Sequence, residues 1–300
     1  MTLGPGIRVH RADTVDGVFD MLLPRPLPSR VFEMYEPVFR GVGRSDYRLV
    51  PSALREEVWK IGGDEPWFAD LGSINLFIKA CDRAGLAVPG DSTLFREALE
   101  EHLADRTSHE GEFWPPEDVW PVLAAAQHHG LPTRLLDWTR EALTALYFAV
   151  RVALKERSFA GDMAVWVLDA VSLHKYDAPE TRVRKVVVPG TASAYLAAQS
   201  GLFTVVQQRF QRRREGSHPP TPNLDEFLGD AHPRCLHVVL VPQRLAPKLL
   251  DALQQFGVSG ATLFPGLTGA ADAAYDEMRK DAMEGEILEA DEKLAAATRD

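Results

Sequence analysis

Cysteine is almost missing from this chain: Cys81 and Cys235 are the only two in 300 residues. That excludes a disulfide framework and a zinc site built on thiolates. Nor does any stretch approach the roughly 18 consecutive apolar residues of a membrane-spanning helix. The opening residues, MTLGPGIRVHRADTVDG, lack the apolar centre of a secretory signal. The expectation is therefore a soluble protein of a reducing compartment, the cytoplasm, with no membrane contact. The sequence contains no G-x-G-x-x-G, no Walker A and no G-x-S-x-G, and no His pair at i, i+4 encloses a Glu. Rossmann, P-loop, hydrolase-elbow and zincin chemistries have nothing to stand on. An excess of positive charge is missing too: 33 Lys and Arg face 43 Asp and Glu, a net charge of −10. Such a chain does not coat nucleic acid by overall attraction. Ten of the acids fall in residues 271–300, against four bases. The remainder is nearer neutrality, which leaves room for a local basic groove.

What is present is an ordinary globular composition, 45% hydrophobic and 25% charged, in a chain long enough for one large or two small domains. Residues 1–30, with PRPLPSR at 24–30, show little periodicity and are expected to be an irregular lead-in. VFEMYEPVFRG at 31–41 reads as a strand in which Pro37 marks an edge or a break. Helical spacing dominates from 68 to 155: Ile74, Phe77, Ile78 and Cys81 make one apolar stripe. Asp91 is placed to cap the next helix, Pro115-Pro116 to open another, and Pro121 to bend or split it. The period then changes. Residues 163–170, 184–190, 201–207, 235–242 and 261–265 read as short strands, 243–257 as an amphipathic helix ending at Gly257, and 212–230 as a polar loop. Helices and strands are segregated, so the fold class expected is α+β with a helical insert. The acidic helix at 270–297 reads as a solvated face.

Residues 124–150 are the densest in candidate chemistry. Gln127, His128, His129 and Gly130 close one helix, and Asp137 or Thr139 caps the next, at 140–154. A helix start favours anions. Arg134, three residues before Asp137, is near enough in sequence for a local ion pair. So many polar residues between two apolar helices are either buried structural ties or a site. Further on, Arg209, Arg212, Arg213 and Arg214 run into the polar loop beside Phe210. They suit nucleic-acid contact, or simply solubilise a loop root. Cys235 and His237 alternate on an apolar strand and are expected to share one core-facing side.

Phe39-Arg40-Gly41, AQHHGLPTRLLDWT at 126–139 and ALYFA at 145–149 together resemble the FRG domain. The similarity continues through QSGLFT at 199–204 and ATLFPGLTG at 261–269, hence over roughly 31–270. One departure is Gly266, where relatives often carry Asp after the Phe-Pro. The order of these motifs is in turn similar to that of ADP-ribosyltransferase folds. The resemblance implies a split β-sheet core at 31–270 with a helical insert at about 68–130, between the lead-in and the acidic C-terminal helix at 271–300. It also implies NAD as substrate with no metal, ADP-ribose transfer with loss of nicotinamide, and a DNA or RNA acceptor or another macromolecule. The setting implied is a toxin or antiphage system with a neutralising partner protein.

Carried over residue by residue, Arg40 would hold the pyrophosphate, Gly41 would let the backbone approach the nicotinamide amide, and Thr139 would support the cleft wall. Gln199 would stand where the catalytic Glu of such enzymes is expected, with His128, Arg134 and Asp137 forming or bracing the cleft. An amide at 199 can hold a ribose hydroxyl; alternatively Asp137 supplies the carboxylate, or His128 or His129 deprotonates the acceptor. A competing reading is a nucleotide- or nucleic-acid-binding sensor without turnover.

Overall fold

The computed structural model describes residues 4–23, 32, 34–55, 66–104, 111–157, 159–171, 173–188, 198–209, 222–231 and 235–298. Eight strands make one open sheet: β1 (Arg8–Arg11), β2 (Pro37–Val42), β3 (Phe113–Trp114), β4 (Leu135–Thr139), β5 (Asp162–Asp169), β6 (Thr181–Val186), β7 (Gly201–Arg209) and β8 (Leu236–Pro242). Their order is β1-β8-β5-β2-β4-β7-β3, with β6 also paired to β7. The β1–β8 pair is parallel and the other pairs are antiparallel. The helices are α1 (Val15–Leu22), α2 (Ser52–Arg55), α3 (Pro66–Ala84), α4 (Thr93–Ala104), α5 (Trp120–His128), α6 (Ala142–Glu156), α7 (Leu224–Ala231), α8 (Ala246–Gln255), α9 (Gly260–Leu263) and α10 (Leu267–Ala297). The architecture is α+β.

Alternation along β5 shows how the layers form. Met163, Val165 and Val167 pack with residues of α6 and α8, whereas Ala164, Trp166 and Leu168 pack with Leu49, Trp138 and Leu224 on the opposite face. A strand covered on both faces reads as an unbroken apolar run. A third core joins α3, α4 and α5 to Leu135, Phe203 and Val205. The helical insert is thus seated on the β4–β7 end of the sheet.

Several expectations change. The described part of the lead-in, 4–23, is not irregular: Arg8–Arg11 pair with His237–Leu240, and Thr14 caps α1 by accepting from the Gly17 N–H at 3.1 Å, while PRPLPSR at 24–30 lies outside the described residues. Its few residues are regular because β8 supplies the ladder that local periodicity cannot reveal. Pro37 opens β2 rather than marking an edge; β2 lies inside the sheet, and Pro is tolerated at a strand's first position. Pro121 falls in the first turn of α5, where its missing N–H costs nothing, after a short 3-10 turn at 117–119. Residues 261–265 are not a strand. Ser259 and Thr262 form a capping box that starts the one-turn α9, and Gly266 (φ 94°) follows. Nor is α10 merely a solvated face, since Asp276 and Met283 are buried against the body.

Candidate functional site

The sheet has one narrow seam. Strands β2 and β4 pair only through Phe39 and Thr139. Beyond that pair no ladder contact joins them, and Arg40 bridges the two strands: its Nη1 donates to the Asp137 carbonyl at 2.7 Å and lies 3.4 Å from Asp137 Oδ2. The other carboxylate oxygen, Oδ1, accepts from Gln127 Nε2 at 2.7 Å, while Thr133 Oγ1 donates to Gln127 Oε1. The end of α5 and the middle of β4 are therefore tied together through Asp137, whose side chain is still 61% exposed. At this seam lies a cavity of about 670 Å³, lined by Arg40, Asp137, Thr139, Gln199 and both histidines of the α5 end, with Phe39, Phe148 and Phe264 on its apolar side. That is the size and mixed lining of a small-molecule site.

Thr139 is nearly buried and works twice: its hydroxyl donates to the Gln199 carbonyl at 2.7 Å and accepts from the Glu141 N–H at 3.0 Å. It does not cap α6 directly, because the helix begins at Ala142; Asp137 lies in β4 and caps nothing. Gln199 precedes β7, and its Nε2 donates to the Leu263 carbonyl at 3.3 Å. That bond ties the residues before β7 to the end of α9, next to Phe264 of the cavity wall. Phe264 is held there by an edge contact with Phe148, at 6.0 Å between ring centroids, and by the Arg151 guanidinium 5.1 Å above its ring.

His128 and His129 lie edge to face, 5.3 Å apart. Burial holds the His128 imidazole below its ordinary 6.5, helped by His129 and opposed by Asp137. A neutral ring at neutral pH can accept a proton.

Arg134 is not at the cavity. It is buried and paired with Asp70, whose Oδ2 also accepts from Trp114 Nε1 at 3.2 Å. Positions 134 and 137 project to opposite faces of an extended chain, so the local ion pair cannot form; Asp137 meets Arg40 instead. Gly41 lines the cavity, but its small size has another cause. A Cβ there would lie 1.8 Å from the Ala145 carbonyl oxygen and 2.7 Å from Ala149 N, because α6 packs directly on β2. Arg209 ends β7 and, with Arg182, covers the Phe113 ring, at 5.0 and 3.8 Å. It lies 3.9 Å from Glu180 and does not line the cavity. Arg212, Arg213 and Arg214 lie outside the described residues. Cys235 and His237 face different cores: the thiol lies with Leu236 and Val238, while the imidazole meets His10 and Phe32 on the other side.

Residues 36–158 match the family model of the FRG domain. The chain carries an FRG domain. The FRG span holds Arg40, Gln127, His128, Asp137, Thr139 and Phe148, whereas Gln199 and Phe264, which complete the cavity, come from beyond it. Comparison with curated proteins and with solved structures found no match. Among the described residues, no group of three or more His, Cys, Asp or Glu is placed to hold a metal ion, and no helix is long and apolar enough to cross a membrane.

Sequence reasoning missed Gln127 as the anchor of Asp137, and Phe39, Phe148 and Phe264 as cavity walls. All four lie inside the quoted motifs. A Phe in an apolar helix, however, looks the same whether it faces core or cavity.

Proposed function

We propose that the FRG-domain cavity binds NAD and that the chain transfers ADP-ribose from it to a macromolecular acceptor. One observation carries the reading: Arg40, Asp137 and Gln199, far apart in sequence, line one cavity of about 670 Å³ where β2 and β4 cease to pair. Bound there, NAD would supply an ADP-ribosyl group, its C1′–nitrogen bond breaking with the electron pair leaving on nicotinamide as the acceptor's nucleophile bonds C1′. Arg40 is suited to the pyrophosphate, because a planar guanidinium can engage two oxygens at once. Asp137 is the acidic side chain among the described cavity-lining residues, and its carboxylate would stabilise positive charge developing on the ribose. Gln199, fixed to Leu263, acts by position rather than by charge. His128, kept neutral by burial, takes the acceptor's proton.

The test is incubation with NAD and a panel of DNA, RNA and protein, reading nicotinamide release and acceptor mass. Release with a matching mass gain, lost in Arg40→Ala and Asp137→Asn, supports the transferase. Saturable NAD binding without release would make the cavity a sensor. No NAD binding at millimolar concentration overturns both.

A further inference from the structure

The His128–His129 pair is a partition as well as a wall. Behind it lies a second cavity, of about 510 Å³, formed where α3, the turn before α4 and α5 come together. Phe77, Cys81, Val88, Pro121, Ala124 and Ala125 are among its lining residues, and the same two imidazoles close one side. The sequence keeps this space open with successive alanines at 124 and 125, which stand where larger side chains would fill it.

The cavity's volume is that of a ligand site. Among the described residues that line it, none is Lys, Arg, Asp or Glu. A charged occupant would give up hydration with no Lys, Arg, Asp or Glu among those residues as a counter-charge, which disfavours phosphates and ammonium groups. The polar groups it does offer are the histidine rings and the Cys81 thiol. Leu86, 61% exposed, marks the rim and leaves an apolar entrance.

We infer that this cavity is a second ligand site, which takes an uncharged, mainly apolar small molecule bearing one hydrogen-bonding group turned toward His128 and His129. The inference is independent of whether the first cavity holds NAD.

The probe is N-phenyl-1-naphthylamine, a neutral dye that brightens in apolar surroundings. A saturable one-to-one rise in fluorescence is expected, with its sulfonated analogue binding at least about tenfold more weakly for want of a counter-charge. Ala125→Trp fills the space and should abolish the signal. Because a tryptophan there can also disturb α5, Leu86→Lys provides a rim variant, expected to weaken binding about tenfold with thermal unfolding unchanged. Dye should shift the imidazole resonances of His128 and His129 and leave the exposed His174 in place. The inference is overturned by an unsaturable signal, by binding that survives both substitutions, or by unshifted His128 and His129. Nicotinamide release reads the first cavity separately, so the failure of either proposal is visible without the other.

Discussion

Arg40 Nη1 sits 2.7 Å from the backbone carbonyl of Asp137, a residue 97 positions later. The bond falls where β2 and β4 cease to pair, so a side chain serves in place of a ladder contact. An arginine in the middle of a buried sheet needs such an explanation, because a guanidinium is rarely buried without partners. Here it bridges β2 and β4 and lines the cavity.

Replacing Arg40 should weaken ligand binding and also loosen the β2–β4 seam. Arg40→Ala is expected to weaken NAD binding by about 10–100-fold, the worth of charge-assisted hydrogen bonds. Arg40→Lys should recover little of it, because an ammonium cannot reproduce the planar fork. Calorimetric titration with NAD, alongside thermal unfolding, separates the two effects; equal affinity in all three proteins would remove Arg40 from the site.

For Arg134 the expectation is reversed. Its buried partner Asp70 would be left uncompensated, so Arg134→Ala should cost about 3–5 kcal/mol of stability. The double variant Arg134→Met, Asp70→Leu should restore much of this, since removing both charges leaves none stranded. Urea unfolding of the three proteins checks it.

Gly41→Ala tests why that position is glycine. With a Cβ placed 1.8 Å from the Ala145 carbonyl oxygen, α6 must shift, at a cost of about 1–3 kcal/mol or more. A lower melting temperature without bound ligand is expected. If stability is unchanged and only NAD binding falls, ligand approach rather than helix packing sets the residue.

Acid should loosen the first strand. His10 stacks on His237, with Nε2 and Nδ1 3.0 Å apart, and burial and then Arg8 hold its imidazole below the ordinary 6.5. A depressed histidine binds fewer protons folded than unfolded, so stability is full above about pH 6.5 and falls as pH drops through the folded value. Thermal unfolding between pH 7.5 and 5.0 should show a decline, shallower in His10→Gln. Identical profiles would exclude the pair as a source of the acid sensitivity.

Periodicity and turn chemistry determined much by themselves. The uninterrupted apolar run of β5, the stop of α8 near Gly257 and the α3 stripe are local patterns, set by which faces must leave water. The Phe-Arg-Gly and AQHHGLPTRLLDWT blocks likewise indicated the FRG domain, and Arg40, Asp137 and His128 from those blocks line one cavity. Contacts between distant segments were illegible, because no local signal encodes them. Only the tertiary structure decided that Arg8–Arg11 finds a ladder on β8, that Arg134 turns away to Asp70 while Asp137 meets Arg40, and that Gly41 answers to α6. Side-chain type fixes what a residue can bond. Which partner it meets depends on where the strands pair and where, between β2 and β4, pairing stops.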